Sequence, residues 1–211
     1  MSRRAAGLET DDRLLAAAGE VFAEVGYRSA TLREICRRSQ ANIAAVNYHF
    51  RDKEHLYAAV LEQAVAEAGE GLARIAPDPA DPPELKLQHF IRQFLGNLLG
   101  GERPVRFLRL MAHESIEPTS AFDWVVEKAA SPLKEMIEEI VAEFFGPGTE
   151  PVRIHDCAAS VLMQCAAYYH SEAFVRRLDH LNVHDPATIE HLANHIYRFS
   201  LGGIRTLASE A

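Results

Sequence analysis

The sequence is poor in the features that mark membrane, secreted and metal-binding proteins. It has three cysteines and one tryptophan in 211 residues, and no apolar run approaches the roughly 18 residues of a membrane-spanning helix. Cys36, Cys157 and Cys165 form neither an even-numbered disulfide framework nor a Cys-x-x-Cys metal pair. The N-terminal segment lacks the apolar core of a signal peptide. We therefore expect a globular, cytoplasmic protein with reduced thiols and no membrane segment.

A net positive charge is also lacking, but the negative charge is unevenly distributed. The formal net charge is -8, yet residues 1–55 hold nine Lys and Arg residues against eight Asp and Glu residues. The acidic surplus therefore lies in residues 56–211. Between Arg28 and Lys53, six basic side chains outnumber two acidic ones. This local surplus favours a polyanion as a partner, and a solvated basic face is the alternative.

Two helices are predicted before residue 40. Apolar residues at spacings of three and four over residues 11–25 predict the first helix, which Gly26 is placed to end. Thr31 and Glu34 have the spacing of a capping box, in which each side chain satisfies a backbone N–H of the other. This box predicts a second helix over residues 32–39.

A second pair of helices follows closely. Asn42 is a good cap for a helix of two turns that ends near Phe50, and Asp52 caps a long amphipathic helix over residues 53–75. Two short helices joined by a tight turn, with a helix on either side, match a helix-turn-helix arrangement. The short helix is then the one that enters the major groove.

The short helix carries an unusual mixture of residues, ANIAAVNYHF over residues 41–50. Val46 and Phe50 account for one apolar edge and leave a small, polar surface. Small side chains let a helix backbone approach DNA closely, amides pair with adenine edges, and phenol or imidazole groups donate to phosphates. Taken singly, Tyr48 is equally well a partly buried aromatic residue and His49 a helix cap. The candidates for DNA contact on this surface are Ala44, Ala45, Asn47, Tyr48 and His49.

The run LLAAAGEVFAEVGYRSATLREICRRSQANIAAVNYHFRDKEHLYAAVL resembles the DNA-binding domain of TetR-type transcriptional regulators. The string NIAAVNYHF is similar to the CecR-like branch of that family. The resemblance implies an all-α fold, with a three-helix DNA-binding domain over residues 1–55. A long fourth helix would join it to a helical ligand-binding and dimerisation domain over residues 56–211. The residues that carry the resemblance are Phe22, Gly26, Tyr27, Thr31, Ile35, Tyr48, His49, Phe50, Lys53, Glu54 and Leu56.

The resemblance also implies a role for each matching position. Thr31 would give its amide or hydroxyl to a phosphate, and Tyr48, His49 and Lys53 would hold the DNA backbone. The residues that would face the groove are Asn42, Ile43, Ala44, Ala45 and Asn47.

Departures from the family pattern bear on the turn and on base preference. Family members usually have Gly where this chain has Gln40, which suggests a slightly different turn. Ala44 and Asn47 stand where Gly and Tyr are common, which leaves the base preference open. Arg3 and Arg4 are candidates for an arm into the minor groove, with a disordered tail as the alternative.

The rest of the chain also shows helical patterns, without strand alternation or internal repeats. A proline-rich linker, APDPADPP, separates it from the fourth helix. The predicted helices run from Glu84 to about Leu99, Pro104 to His113, Ser120 to Phe145 with a break or bend near Pro132, Val152 to about Leu178, and Pro186 to Leu207.

The last two of these helices have more apolar residues than one face of a monomer needs. A homodimer that pairs them in a four-helix bundle would bury that surface, as the resemblance also implies, and an intramolecular core is the alternative. The residues concerned are Ala158, Val161, Leu162, Cys165, Ala166, Tyr169, Ile189, Leu192, Ala193, Ile196, Phe199 and Ile204.

The resemblance further implies a small-molecule effector. Its binding would shift the protein to a state whose recognition helices no longer fit DNA, as in a repressor of efflux or detoxification genes. No enzyme activity and no cofactor are expected. The candidates for effector contact, for which simple core packing is the alternative, are Phe107, Met111, His113, Phe122 and Trp124.

Ten histidines suggest a rival hypothesis from another class. His191 and His195 lie four residues apart next to Glu190, so three potential ligands share a helix edge. The rival is a helical-bundle metalloenzyme or small-molecule carrier that uses these histidines. The sequence HLANH lacks the His-Glu-x-x-His arrangement, however, so we expect no metal there.

Overall fold

The computed structural model describes residues 3–100 and 105–210, without the side chains of residues 3–9 and 105. All regular elements in this described part are helical, as predicted, and none of its helices meets the length and apolarity that a membrane span requires. The helices are α1 Arg3–Ser29, α2 Leu32–Ser39, α3 Ile43–His49, α4 Lys53–Ile75, α5 Pro83–Leu99, α6 Val105–Ile116, α7 Phe122–Val125, α8 Ser131–Ala142, α9 Pro151–His170, α10 Glu172–Leu178 and α11 Pro186–Ser209.

Helix α1 extends beyond the predicted stop at Gly26. This glycine has φ 74° and ψ 169°, so the helix is kinked there and continues to Ser29. An added Cβ on Gly26 would lie 2.9 Å from Nδ1 of His113, which leaves no room for a side chain. Gly26 therefore bends the helix and lets α6 approach it closely.

Two long predicted helices are broken in the structure. The segment predicted from Ser120 to Phe145 consists of α7, a π-helical turn over Val126–Ala130, and α8, so the bend precedes Pro132. The segment predicted from Val152 to Leu178 is interrupted at Ser171, which separates α9 from α10. Pro104, the predicted start of α6, lies outside the described residues.

The chain forms two compact units. The first contains residues 1–68 and 104–128, and the second contains residues 69–103 and 129–211. In the first unit, α2, α3 and α6 pack against α1. In the second, α5, α8, α9 and α11 pack around a common core. Helix α4 begins in the first unit and ends in the second.

The core of the second unit contains many of the residues predicted to pair two protomers. Val161, Cys165, Leu192 and Ile196 are almost completely buried within one chain, as are Ala158, Ala193 and Ile204. For these residues the dimer interpretation is wrong and the intramolecular alternative is right, because α5 packs against both α9 and α11 and α8 packs against α9. The large exposed apolar residues on α9 and α11 are Val152, Met163, Phe199 and Leu207.

The three cysteines are free and buried. Burial raises the pKa of each thiol, for Cys165 to about 12. They therefore act as small apolar core residues, as predicted.

Candidate nucleic-acid interface

The first three helices form a small core that leaves most of α3 uncovered. Leu14 and Phe22 of α1, Ile35 of α2 and Val46 of α3 are fully buried. Within α3, whose seven residues are all described, Val46 is the one buried residue. Because Val46 is the one α3 side chain in this apolar core, most of the helix surface is left for contact with solvent or a partner.

The beginning of α2 shows half of the predicted capping box. Oγ1 of Thr31 accepts the backbone N–H of Glu34 at 3.2 Å. The Glu34 carboxylate does not turn back to Thr31, because it accepts hydrogen bonds from Arg37 at 2.7 and 2.8 Å and from Arg38 at 2.8 Å. These bonds, that of Arg37 first, lower the pKa of Glu34 to about 2.

Arg38 also connects α2 to α1. It donates to both carboxylate oxygens of Glu24, at 2.7 and 2.8 Å. Arg28 lies 3.6 Å from a carboxylate oxygen of Glu117 in the same unit. The local positive surplus inferred from the sequence is thus smaller on the surface, since several of these arginines already have carboxylate partners.

The turn between α2 and α3 keeps a left-handed geometry although it lacks glycine. Gln40 has φ 55° and ψ 31°, and its N–H and that of Ala41 both donate to the carbonyl of Cys36. Gln40 thus has a backbone conformation that glycine adopts readily. The chain tolerates a strain of about 1 kcal/mol at Gln40 to retain the turn.

Helix α3 presents the predicted small, polar edge to solvent. Oδ1 of Asn42 caps the helix by accepting the N–H of Ala45 at 2.8 Å. Ala44 and Asn47 are exposed, Ala45 is half-buried, and Tyr48 is 84% exposed. Ile43, also 50% exposed, adds an apolar contact surface at the N-terminal end.

Two of the predicted backbone contacts have partners within the protein. Nδ1 of His49 lies 2.5 Å from Oδ1 of Asp11, so this imidazole fastens α3 to α1. The ammonium of Lys53 lies 4.5 Å from the ring centroid of Tyr27 and 3.4 Å from the carbonyl oxygen of Arg28. Burial lowers the pKa of Lys53. Neither arrangement was predictable from local sequence, because both partners come from the distant α1.

The turn between α3 and α4 contains the predicted cap, Asp52, and two side chains that the sequence interpretation missed, Arg51 and His55. Oδ1 of Asp52 caps α4 by accepting the backbone N–H of His55 at 2.9 Å and also lies 2.8 Å from Nδ1 of that residue. These bonds, the backbone one first, lower the pKa of Asp52. Nε2 of His55 lies 3.3 Å from Nη1 of Arg51, which has a positive φ of 70°. The Asp-x-x-His spacing at a helix start was the available signal.

Two family profiles match this chain. Residues 14–60 match the profile described as bacterial regulatory proteins, tetR family. Residues 83–204, more than half of the chain, match the C-terminal domain of the HTH-type transcriptional dual regulator CecR. The chain belongs to the TetR family of transcriptional regulators, in the CecR branch. TetR-family proteins are regulators that bind DNA and are not enzymes.

Individual relatives agree with this assignment. The chain is 32% identical over 159 residues to the HTH-type transcriptional dual regulator CecR of Shigella flexneri, which covers 70% of each protein. It is 32% identical over 75 residues to the HTH-type transcriptional repressor NicS of Pseudomonas putida, covering 36% of this chain and 35% of NicS. A TetR-like regulator from Rhodococcus sp. RHA1 has the same fold, with a TM-score of 0.67 over 92% of this chain and 95% of that one at 17% identity.

The residues predicted to contact a TetR effector lie on α6 and α7 of the first unit. Phe107, Met111, His113 and Phe122 are half-buried, and Trp124 is 36% exposed. The ring of His113 is packed over Gly26, so it is engaged with α1. A role for these residues in effector binding stays a prediction.

A buried carboxylate on α6 was not found by sequence reasoning. Glu114 is 1% exposed and accepts the hydroxyl of Tyr57 at 2.6 Å and the N–H of Thr119 at 2.9 Å. Burial first, and then the contact with Glu114, raise the pKa of Tyr57. These bonds join α4 to α6 within the first unit.

The C-terminal histidines have surroundings that do not favour the rival metal site. Glu190, the potential third ligand, is paired with Arg92 and accepts a hydrogen bond from Asn194 at 3.0 Å. Nδ1 of His155 lies 2.9 Å from a carboxylate oxygen of Glu138. Among the described side chains, those of residues 10–100 and 106–210, no three His, Cys, Asp or Glu residues form a group suited to a metal ion.

Proposed function

We propose that this TetR-family protein is a ligand-responsive repressor that binds a palindromic DNA site as a homodimer. The observation that carries the proposal is the arrangement of α3, in which Val46 is buried while Ala44, Asn47 and Tyr48 are exposed. A helix held in this way can lie in a major groove without losing its own anchor.

The exposed residues divide by chemistry into two groups. Ala44 and Ala45 allow the helix to approach the bases, and the amide of Asn47 pairs with an adenine edge. Asn42 and Ile43 flank this surface at the start of α3. Contacts to the DNA backbone, which position the protein without reading sequence, come from Thr31, Tyr48, His49 and Lys53.

The proposed homodimer uses the outer faces of α9 and α11. Met163 and Phe199 are each 66% exposed, and Leu207 is 41% exposed. Gly202 and Gly203 lie on the same long helix, are exposed, and would let a partner helix approach closely. Two recognition helices then read half-sites about one helical turn apart.

The proposed effector acts by a population shift between DNA-competent and DNA-incompetent states. An apolar or amphipathic molecule would bind among the helices of the domain over residues 56–211. Helix α4 carries the change because it starts beside the DNA-binding helices, which we assign to residues 1–55. Tyr57 and Glu114 transmit it within the first unit, since their bond ties α4 to α6.

The test begins with in vitro selection of duplexes by the purified protein. Asn47→Ala is expected to change base preference at one position of each half-site, by about 1–3 kcal/mol. Lys53→Gln is expected to weaken binding to selected and unrelated duplexes alike. It should also reduce the slope of log affinity against log salt concentration by about 1 per contact. Tyr48→Phe should weaken binding to both duplexes equally without altering the salt dependence of the affinity.

Equal losses on both duplexes for all three variants, with the same base preference as the wild type, would refute this division of roles. The selected motif also identifies candidate regulated genes, because the genes that lie downstream of it in a genome can be examined for a role in efflux or detoxification. Repression and activation are separated by a reporter gene with the motif at its promoter, since the CecR relative is described as a dual regulator and NicS as a repressor.

A further inference from the structure

A charged side chain outside the proposed contact set lies in the turn between α3 and α4. Arg51 is exposed, and its φ of 70° is one that side chains rarely adopt. The N–H of Asp52 donates to the carbonyl of Phe50 at 2.9 Å, so Arg51 is the central residue of a three-residue turn. This turn fixes where the Arg51 side chain leaves the backbone, directly after the helix that carries Asn47.

The guanidinium of Arg51 is held by an imidazole. Its Nη1 lies 3.3 Å from Nε2 of His55, and Nδ1 of His55 lies 2.8 Å from Oδ1 of Asp52. A guanidinium only donates hydrogen bonds, so in this contact Nε2 of His55 accepts and Nδ1 is the nitrogen that donates to Asp52. Asp52 therefore orients His55, and His55 orients Arg51.

Three of the neighbouring arginines, Arg28, Arg37 and Arg38, differ from Arg51 in having carboxylate partners. Arg37 and Arg38 are paired with Glu34, and Arg28 with Glu117. Within the described residues, no carboxylate oxygen lies within 4.0 Å of the Arg51 guanidinium. Its charge and most of its N–H groups are thus available to an anion, whereas those of Arg37 and Arg38 serve the packing of α2.

We propose that Arg51 binds a phosphodiester group of the DNA backbone and that His55 is the positioning residue for its guanidinium. This inference rests on the proposed DNA binding through α3. A planar guanidinium donates two parallel N–H groups to phosphate oxygens, which a held orientation favours. Tyr48 and Lys53, the backbone contacts already proposed, come before and after Arg51 in the chain, so Arg51 continues that set through the turn.

The structure offers a matched pair of variants for the test. Arg51→Gly and Gln40→Gly both place glycine at a positive φ next to α3, and they differ in the charge removed. Affinity of the full chain is measured by fluorescence anisotropy on the selected duplex and on an unrelated one, between about 50 and 200 mM salt. Arg51→Gly should reduce the salt slope by about 0.9 and the affinity roughly eightfold at 0.1 M salt for each contact, on both duplexes. Gln40→Gly should change neither.

Further variants separate charge from orientation. Arg51→Gln, which keeps a side chain at the positive φ, should show the same loss as Arg51→Gly, while Arg176→Gln, at an exposed position of α10, should show none. His55→Phe keeps the Arg51 charge, so affinity should fall roughly threefold with an unchanged slope. Thermal unfolding of each variant establishes that it is folded.

The proposal is overturned if Arg51→Gly and Arg51→Gln bind both duplexes with the affinity and salt slope of the wild type. In that case the proposal that the protein binds DNA through α3 still stands. If the wild-type protein binds neither duplex at low salt, the proposed function fails and the role of Arg51 fails with it. The two results are distinguished by the wild-type titration alone.

Discussion

Helices α3 and α11 show how differently a short and a long helix use apolar residues. Helix α3 has seven residues and one of them, Val46, is buried. Helix α11 has 24 residues and buries Leu192, Ala193, Ile196, Ser200 and Ile204 along its length. The small, polar surface of α3 is therefore informative about function, because little of that helix can be hidden. The apolar richness of α11 is largely used by the core of its own unit.

The largest expected effect tests the assignment of α11 to that core. Ile196 is 1% exposed, so Ile196→Ala removes buried atoms and leaves a cavity. We expect a loss of about 3 to 4 kcal/mol in the free energy of unfolding. Urea unfolding at several protein concentrations measures it, since a loss within the core persists at every concentration.

Phe199 provides the contrast on the same helix. It is 66% exposed in the single chain, so Phe199→Ala should leave the unfolding free energy of the monomer within about 0.5 kcal/mol. It should instead weaken the dimer, which sedimentation velocity detects as a shift toward monomer. If the two variants lost equal stability in the monomer, the division of α11 into a core face and a partner face would be incorrect.

The next effect concerns the anchor of α3. Val46→Ala removes two fully buried methyl groups and should destabilise the protein by about 2 kcal/mol. Because α3 has no second buried residue among its described positions, its orientation should loosen, and affinity for all duplexes should fall. Circular dichroism during urea unfolding gives the stability, and anisotropy gives the affinity.

Ile43→Ala is the control for that change in stability. It removes more atoms than Val46→Ala, but Ile43 is 50% exposed. We expect it to cost less than about 1 kcal/mol, since most of its surface stays in water in the folded state. A greater loss for Ile43→Ala than for Val46→Ala would reverse the assignment of the buried edge.

The sequence was sufficient for the starts of α2, α3 and α4, because these starts depend on local chemistry. Thr31, Asn42 and Asp52 each cap a helix through the backbone N–H three residues ahead, so the three helices begin where predicted. The break at Ser171 has no such local signal. The π-helical turn over Val126–Ala130 lies just before Pro132, the residue at which the sequence predicted a break or bend.

In the candidate site, the exposed surface of α3 was predictable from the sequence, whereas the contacts of its side chains with other elements were not. The exposure of Asn47 and Tyr48 follows from helical spacing once Val46 is recognised as the anchor. The contact of His49 with Asp11 depends on how α3 crosses α1. The conformation of Arg51 depends on a positive φ that its residue type disfavours. Tertiary contacts and turn geometry of this kind are not encoded in periodicity.

A smaller effect is expected in the turn that leads to α3. Gln40 has φ 55°, so Gln40→Gly relieves the strain of a left-handed side chain, while the unfolded chain gains freedom that offsets part of the benefit. We expect a net gain of about 0.5 kcal/mol in unfolding free energy and no change in DNA affinity. A loss of stability measured by urea unfolding would mean that the Gln40 side chain contributes more than its backbone strain costs.

The smallest effect concerns the ionic contacts that hold α2, and so α3, against α1. The Arg37 and Arg38 hydrogen bonds lower the pKa of Glu34 to about 2, below its ordinary value of 4.5. A depressed folded-state pKa means that the ionised carboxylate stabilises the fold above about pH 4.5, and that this contribution disappears as pH falls toward about 2. Glu34→Gln should therefore lower the melting temperature slightly at neutral pH and by a decreasing amount between those values. Glu62→Gln, at an exposed position of α4, is the control for removing a carboxylate. If the difference in melting temperature between Glu34→Gln and the wild type stayed constant down to pH 2, Glu34 would stabilise the protein through packing and not through its charge.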